Sequence, residues 1–550
     1  MNKLTAEQII SRRDCLKSDR ATWESHWQEI ADYVMPYKSS ITKTQQPGKR
    51  RNDDITDDTA IQDNDKLASG VFGFLCPPKE QWFQFQSTDP KLNEVEEVNF
   101  YFGEVSRRLM QNMYISNFAL EMHEDFLDLG AFGTSNIYVE PGRDKPFRFK
   151  NIPIESYVID ENAYGEIDTV YFTMKMTPRQ MLQRWDKSKL SKDVQAVVEK
   201  GGKDMDKKYN IVHAVQPRTD ITKGKVTRDN LPIMSMYIDE KAKHIIDEGG
   251  YEEMPYVVGR FMKAPDEIYG RSPGVSALPR IKMINRMGYT IIRNSEKIVD
   301  PPILMPDDGV VNDPNMNPGA IMYLRSSYYE NKPVPFETRA NIPIGLEMMQ
   351  REEIAIHKAF YTELFDTLAD RKNMTATEVI ERVERKLLLF VPIMARIQAE
   401  KITPLLHRCF GILSRIPGAL PPLPQILQEN PGYDIQYVGK MALALKSLDV
   451  AAIADTMMLI QPYAELNPEI LRNFDFNAIA RGVGLRKGVP QEFIVPQEVL
   501  DAENEAAAKK AEAQEQMAMM TQGADIISKT QKETEPNSPL ANIGEAMTQQ

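Results

Sequence analysis

Apolar residues near the start of the chain recur at helical spacing. The repeat is carried by Trp23, Trp27, Ile30 and Val34. Steps of three and four residues put these side chains on one face, and Pro36 ends the pattern, so a helix packed against a core is predicted. Ahead of it, Thr5 and Gln8 form a capping box in TAEQ, which marks an earlier helix start.

Further helical patterns cover about 58–75, 91–113 and 119–129, and the piece KEQWFQFQS alternates like a strand. From Ser135 to Arg260 the chain changes to short β-rich runs broken by Gly, Pro and Asn. One helix interrupts these runs, because TPRQ at 177–180 combines an N-cap, a first-turn proline and a capping-box glutamine. This part of the chain is therefore predicted to be an α+β domain.

Past residue 268 the pattern becomes mainly helical. One helix is predicted at about 279–298 and a second at about 344–365. The insert between them is rich in Pro, Asn, Asp and Gly and contains short strand-like runs. This order predicts a helical hairpin with a small module at its tip.

A long helix is predicted after this hairpin. Thr375 and Glu378 form a capping box in TATE, and the helical pattern continues to about residue 415. Pro392 and Pro404 lie inside it and predict kinks. Shorter helices follow 420, and the Ala-, Glu- and Gln-rich end predicts an exposed helix or disorder. The predicted fold class is α+β, mainly α.

Charge and cysteine content narrow the class of protein. The formal net charge is −12 over 550 residues, which argues against a protein that wraps tightly on nucleic acid. The chain has neither an apolar run of membrane-spanning length nor an N-terminal apolar signal core, so we expect a soluble protein made in the cytoplasm. Its cysteines, Cys15, Cys76 and Cys409, are far apart in the sequence and fit a reducing compartment.

Sequence motifs for catalysis and metal binding are missing. The six histidines form no HExxH and no close pair, and the acidic stretch NDDITDD lacks the turn glycine of a calcium loop. No GxSxG occurs, and GVGLRKGVP has neither the spacing nor the hydroxyl of a phosphate-binding loop. We predict no catalytic residue, no metal and no cofactor.

The stretch YGRSPGVSALP, Tyr269 to Pro279, has two glycines and a serine ahead of a helical run. A phosphate-binding loop would need GxxxxGK and then Ser or Thr after a buried strand, and this spacing is not met. As a helix start the stretch is consistent, because Ser272 can cap, Pro273 suits the first position and Pro279 suits a second start a turn later. We interpret it as a helix start.

A row of basic residues follows on the predicted helix. It consists of Lys282, Arg286, Arg293 and Lys297. Their spacing keeps the four charges on one side of the helix, while Ile281, Ile284, Ile291 and Ile298 form another side. Two interpretations stay open: contact with DNA, and the simpler one of ion pairs with the second helix. The acidic candidates there are Glu347, Glu352, Glu353 and Glu363.

Three segments resemble the head-to-tail connector, or portal, proteins of short-tailed, podovirus-type bacteriophages. They are DDTAIQDNDKLASGVFGFLCPPKEQWFQF, IYGRSPGVSALPRIKMINRMGYTIIRNSEKIVDPPILMPDDG and MTATEVIERVERK. Each motif alone is modest. All three occur in the order of that family within about residues 10–415, and together they are specific.

The resemblance implies an elongated subunit with a wing, a helical-hairpin stem, a small α/β clip and a helical crown, assembled as a ring of usually twelve copies. The implied bounds are 1–272 for the wing, 273–298 for the first stem helix, 299–340 for the clip, 341–365 for the second stem helix, 366–374 for a channel loop, 375–419 for the long kinked helix, 420–500 for the crown and 501–550 for a C-terminal barrel helix or disordered tail. YGRSPGVSALP would then join wing to stem, with its glycines bending the backbone.

The resemblance further implies a ring at one capsid vertex that works without catalysis. Double-stranded DNA would be packaged through it by a separate terminase motor and later ejected, and the tail would attach to it. The implied partners are the terminase, a tail adaptor, scaffolding protein and the major capsid protein. The implied location is the virion, after assembly in the host cytoplasm, and no membrane is involved.

Candidate site residues follow from this resemblance. Arg371 and Lys372 in the channel loop are the first DNA-channel candidates, joined by Lys282, Arg286, Arg293 and Lys297 of the basic row. Asp307, Asp308, Tyr323 and Tyr328 are the candidates for partner contact in the clip. Twelve copies of net −12 would carry a formal charge of about −144, which disfavours nonspecific sticking of DNA to a conduit.

Two other classes of protein remain as alternatives. One is a different virion structural oligomer, such as a tail adaptor or tube protein, which is hard to reconcile with 550 residues and a helical hairpin bearing a tip module. The other is an ATPase or nuclease of DNA packaging. That alternative requires a nucleotide loop or clustered metal carboxylates, and neither pattern is found in the sequence.

Overall fold

The structure is a computed structural model that describes residues 4–51, 53, 55–221, 227–307, 317, 319–325, 334–335, 342–369, 390–429, 432–438, 453–454, 456–463, 474–486 and 509. The chain divides into two units, Met1–Ala442 and Leu443–Gln550. In the second unit the described residues are mainly helical and include Phe476–Arg486.

The helices of the first unit are α1 (Ala6–Asp19), α2 (Ala21–Val34), α3 (Thr59–Leu75), α4 (Glu96–Ile115), α5 (Phe118–Phe132), α6 (Pro178–Arg184), α7 (Lys192–Lys200), α8 (Pro273–Val299), α9 (Ile342–Ala359), α10 (Thr362–Ala369), α11 (390–414) and α12 (Gln425–Glu429). Within α11, Gln398–Ile402 form a π-helical turn and Thr403–Ser414 are α-helical.

The strands are β1 (Phe83–Ser87), β2 (Thr134–Pro141), β3 (Phe147–Asn151), β4 (Tyr157–Glu161), β5 (Ile167–Met176), β6 (Tyr209–Pro217), β7 (Ile233–Asp239), β8 (His244–Tyr251), β9 (Tyr256–Arg260), β10 (Ile303–Asp307), β11 (Ile321–Arg325), β12 (Val334–Pro335) and β13 (Tyr433–Tyr437). With the helices they confirm the α+β, mainly α prediction.

The largest sheet has five antiparallel strands in the order β4-β5-β6-β7-β8. Successive side chains of a strand point to opposite faces, and both faces of this sheet are covered. Val212 packs with α1 through Ile9, whereas the next residue toward the N-terminus, Ile211, packs with Trp185 and Val194 of the α6–α7 segment. The sheet is therefore the middle layer of a three-layer arrangement.

A smaller antiparallel sheet, β3-β2-β9, packs against α5, which also contacts α3 and α8. The predicted core face of α2 is confirmed, since Trp27, Ile30 and Val34 are buried. The Tyr269 ring lies 5.0 Å from the ring of Trp27 and 6.1 Å from that of Trp23. These aromatic contacts fix the chain that leads into α8 against α2.

Two of the three capping boxes predicted from the sequence are confirmed, and the third, Thr375 with Glu378, lies outside the described residues. The Thr5 and Thr177 side chains each accept a hydrogen bond from the backbone N–H three residues on. In turn, the side-chain oxygens of Gln8 and Gln180 accept the backbone N–H of Thr5 and Thr177. The predicted start of α8 at about 279 is wrong by almost two turns, because the helix begins at Pro273. Pro279 lies inside α8, so it is not a second helix start.

The helix predicted at 344–365, and implied by the resemblance as 341–365, is interrupted. It ends at Ala359, Tyr361 takes a left-handed φ of 58°, and α10 starts at Thr362. Such a backbone is unusual for a bulky residue. Packing holds it: the Tyr361 ring lies 4.9 Å from that of Phe390, at the start of the described part of α11.

The π-helical turn of α11 ends at Ile402, two residues before Pro404, which is one of the two prolines expected to kink this helix. Proline cannot donate a backbone hydrogen bond, and its ring crowds the carbonyl of the residue four positions earlier. A widened turn relieves that crowding. Farther along, β13 pairs antiparallel with β1, so residues 433–437 belong to the first unit, although they fall within the range 420–500 implied for the crown.

Candidate functional site

The junction that leads into α8 is a helix start. The Ser272 hydroxyl accepts the backbone N–H of Val275 at 3.1 Å and donates to the carbonyl of Ala131 at 2.6 Å, and Pro273 holds the first helical position. The second bond attaches the cap to the last turn of α5. The structure therefore supports the interpretation of YGRSPGVSALP as a helix start.

Gly270 and Gly274 allow close packing of the backbone at this junction, whereas the sequence predicted that they bend it. A Cβ at Gly274 would lie 2.7 Å from the carbonyl oxygen of Ala131, and one at Gly270 would clash with the backbone of Gly133. Gly133 ends α5 in the left-handed region, at φ 81°. Close approach of two backbones, rather than bending at Gly270 and Gly274, requires the small residues.

Helices α8 and α9 form the predicted pair. Gly345 lets α9 approach Ile291, since a Cβ there would lie 3.2 Å from the Ile291 side chain. An ion pair of 2.7 Å joins Arg280 to Glu352, and His357 lies 2.7 Å from the buried Asp63 of α3. The first contact joins α8 to α9, and the second attaches α9 to α3.

The basic row of α8 is only partly paired. Lys282 forms an ion pair of 2.5 Å with Glu29 of α2, and Arg293 donates to the Asn317 side chain at 3.3 Å. Within the described part of the chain, Arg286, Arg293 and Lys297 have no carboxylate within 4.0 Å. Glu352 of the second helix binds Arg280, which is outside the row. The DNA-contact interpretation of the row remains a prediction.

Apolar side chains flank the α8–α9 contact on both sides. Gly345 faces α8, and at 100° per residue Ile344 and Met348 point to one side of that contact and Leu346 to the other. All three are about half exposed. Ile298, predicted on the apolar side of α8, is also exposed at 48%. An open cavity of about 350 Å³ lies between the helices, lined by Met283, Met287, Ile291, Ile342 and Arg286 among others.

The insert between the two helices contains a small sheet. Strand β10 is central, parallel to β11 and antiparallel to β12. In this register Asp307 lies opposite Arg325, and Tyr323 opposite Met305. The other clip candidates, Asp308 and Tyr328, lie outside the described residues, as do Arg371 and Lys372 of the predicted channel loop.

Sequence patterns missed the buried ionic cluster around the π-helical turn. Lys401 Nζ donates to Asp125 Oδ1 at 2.7 Å, to Ser135 Oγ at 3.0 Å and to the Val257 carbonyl at 3.0 Å. Burial lowers the pKa of Lys401 and raises that of Asp125, and their direct contact opposes both shifts. No local sequence motif indicates such a pair, because its two residues are 276 positions apart in the chain.

The described residues contain neither a clustered metal site nor a membrane-spanning helix. They contain no group of three or more His, Cys, Asp or Glu side chains placed to hold a metal ion. In the same part of the chain, no helix is long and apolar enough to cross a bilayer.

Comparison with known proteins identifies the family. Residues 6–495 match the family described as bacteriophage head to tail connecting protein. The portal protein of Salmonella phage epsilon15 is 29% identical over 557 aligned positions, which cover 99% of each chain. The probable portal protein of Bordetella phage BPP-1 is 27% identical over 527 positions, covering 95% of this chain and 94% of the relative. The chain therefore belongs to the family of bacteriophage head-to-tail connecting proteins.

Proposed function

We propose that this chain is a portal subunit that forms a ring, of about twelve copies, at one capsid vertex. The observation that carries the proposal is its similarity to the epsilon15 portal protein over 99% of both chains. Double-stranded DNA passes through the ring during packaging by a separate terminase motor and leaves through it at ejection. The tail attaches to the same ring through an adaptor. Scaffolding and major capsid proteins are further partners, and assembly takes place in the host cytoplasm.

The two apolar flanks of the helix pair support a ring. A closed ring built head to tail needs two different surfaces on each subunit, one for each neighbour. Ile344 and Met348 provide an apolar surface on one side of α9, and Leu346 provides one on the other. Contiguous exposed apolar surface, such as that of Ile344 and Met348 one helical turn apart, is typical of interaction sites.

The proposed subunit divides as the family does. Residues 1–272 form the wing, 273–298 and 341–365 the stem, 299–340 the clip, 366–374 the channel loop, 375–419 the long kinked helix, 420–500 the crown and 501–550 a C-terminal barrel helix or disordered tail. Asp307, Asp308, Tyr323 and Tyr328 of the clip contact the terminase and then the tail adaptor. The subunit acts as a structural conduit and catalyses no reaction.

DNA guidance is assigned to a few cations. Arg371 and Lys372 in the channel loop, with Lys282, Arg286, Arg293 and Lys297, contact phosphates weakly. A protein making 6–10 phosphate contacts loses roughly 10³–10⁵ in affinity as salt rises, and a grip of that strength would stall transport. The absence of carboxylate partners for Arg286 and Arg293 among the described residues leaves both available for such contacts.

Negative-stain microscopy of the purified full-length protein tests the function. A ring with a central hole near the width of a DNA duplex is expected. A monomer with ATPase activity would contradict the proposal and favour the packaging enzyme, while a stacked tube would favour another virion oligomer. For the channel assignment, Arg371→Glu with Lys372→Glu is compared with the unsubstituted protein in packaging and DNA-retention assays. Unchanged values in both assays would contradict it.

A further inference from the structure

An outward-facing group of cations lies on β3, on the turn that leads from β2 into it, and on the neighbouring end of α6. We call it the β3 patch, and its members are Arg143, Lys145, Arg148, Lys150 and Arg184. Residues 141–151 alone contain four Lys or Arg against one Asp, in a chain whose net charge is −12. The patch is therefore locally positive in a chain that is negative overall.

Strand geometry holds these cations together. On β3, Phe147 and Phe149 are buried, so the alternate residues Arg148 and Lys150 share the outward face about 7 Å apart. Across the ladder, Arg148 lies opposite Glu140. Their side chains are 3.1 Å apart, and Arg184 of α6 lies 3.7 Å from the same carboxylate.

Few anionic groups compensate the patch. Glu140 pairs with both Arg148 and Arg184. Within the described part of the chain, the other three cations, Arg143, Lys145 and Lys150, have no carboxylate within 4.0 Å. Arg143 donates to the carbonyl of Gln183 and Lys145 to that of Ile115. Lys150 lies over the ring of Phe172, at 5.3 Å from its centroid. These neutral partners orient the cations and leave their charge unbalanced.

We propose that the β3 patch binds the phosphate backbone of double-stranded DNA. Lysine and arginine side chains bind phosphates without reading sequence, and binding releases counterions. A protein partner would need apolar or aromatic anchors at the centre of its interface, whereas the aromatic residues of β3 are buried beneath the charges. The identity of the polyanion rests on the proposed function, because a portal subunit meets duplex DNA. The patch is separate from the channel candidates on α8.

The test uses the purified full-length protein, a fluorescent duplex of random sequence, and anisotropy measured over a range of salt concentrations. In Arg148→Gln/Lys150→Gln we expect the affinity at about 0.1 M salt to fall on the order of tenfold or more, and the salt slope to decrease by about 2, or roughly 0.9 per lost phosphate contact. The matched control is Lys203→Gln/Lys208→Gln, which removes the same charge from exposed positions elsewhere. The charge-conserving Arg148→Lys/Lys150→Arg is expected to bind like the unsubstituted protein.

Several outcomes would overturn the inference. These are an unchanged salt slope in the neutralising variant, an equal loss in the Lys203/Lys208 control, or a loss in the charge-conserving variant. Poly-L-glutamate provides a second arm: if neutralisation weakens its binding as much as that of the duplex, the patch takes acidic polypeptides instead of DNA. Microscopy of the same samples separates this inference from the proposed function, since failure of ring formation contradicts only the latter while patch-dependent duplex binding is still measured.

Discussion

Lys401 and Asp125 form an ion pair with 2.7 Å between Nζ and Oδ1, and both side chains have an exposed fraction of 0%. Lys401 uses all three of its N–H donors, on α5, β2 and β9. The residue before it, Glu400, binds Arg260 at the end of β9 at 2.9 Å. Two adjacent residues of the π-helical turn therefore attach α11 to α5, β2 and β9.

Removing Lys401 is expected to destabilise the first unit strongly. Lys401→Met leaves the Asp125 carboxylate buried without its cation, which costs about 3–5 kcal/mol in comparable buried pairs. The double variant Lys401→Met/Asp125→Asn removes the unpaired charge and should recover part of that loss. The measurement is urea unfolding followed by tryptophan fluorescence, which reports on the first unit because all four tryptophans lie there. Equal losses in the single and double variants would show that charge burial is not the cause.

This pair also illustrates how far the sequence predicts the fold. The capping boxes at Thr5 and Thr177 are confirmed because a cap involves only four consecutive residues. The Lys401–Asp125 pair and the pairing of β1 with β13 depend on residues hundreds of positions apart, and a single sequence contains no local signal for them. The interruption at Tyr361 was missed for the same reason, since distant aromatic packing overrides a continuous helical pattern.

The candidate site residues also divide into those that local periodicity predicts and those whose contacts depend on distant parts of the chain. Periodicity alone located the basic row from Lys282 to Lys297, because helical spacing is regular. Periodicity did not reveal that Lys282 would bind Glu29 of a different helix. The β3 patch was not predicted, although FRFK contains a signal for it. Aromatic and basic residues alternate there, and period-2 alternation puts the charges on one face of a strand.

Stability is expected to fall on mild acidification through His213. Its ring is buried, with Nδ1 2.6 Å from the Tyr256 hydroxyl, Nε2 2.9 Å from Ser235 Oγ, and Tyr237 stacked at 4.0 Å. Burial, and then the charge of Arg184, lowers the pKa of His213 well below its ordinary value. Below about pH 6.5 the unfolded chain therefore binds a proton that the folded chain excludes, and stability contributed by this residue falls by up to about 1.4 kcal/mol per pH unit.

His213→Gln tests this contribution, because glutamine offers both a donor and an acceptor but does not titrate. Urea unfolding from pH 7.5 down to pH 5 should show a shallower loss of stability in the variant. His26 and His407, whose pKa values are also lowered first by burial, remain in both proteins, so the difference between the two slopes isolates His213. Parallel slopes would contradict the assignment.

A single methyl group added at the junction into α8 is expected to lower the stability of the protein. In Gly274→Ala the new Cβ would lie 2.7 Å from the Ala131 carbonyl oxygen, inside any normal contact. Overpacking of this kind costs about 1–3 kcal/mol. Gly73→Ala is the matched control, since Gly73 is also helical but its Cβ would meet no atom within 4 Å. That change should stabilise the protein by about 0.5–1 kcal/mol. Thermal unfolding midpoints that move in the same direction for both would contradict this account of the junction.

Ring formation is expected to depend on the apolar flank of α9. Met348 is 51% exposed in the subunit, so its burial against a neighbour would contribute about half of the roughly 1.5–3 kcal/mol of a fully exposed side chain, and a lysine there would place a charge in the interface as well. Met348→Lys should therefore weaken association by more than about tenfold, since each 1.4 kcal/mol is a factor of ten. Ile354→Lys is the control: Ile354 is also 51% exposed, and at 100° per residue it points to the side of α9 opposite α8, away from both flanks. Mass photometry measures the fraction of rings against protein concentration, and thermal unfolding checks that both subunits stay folded. If both variants form rings as readily as the unsubstituted protein, Met348 does not lie at the subunit interface. If both lose rings equally, the cause is added charge, and the apolar contact proposed for this flank is absent.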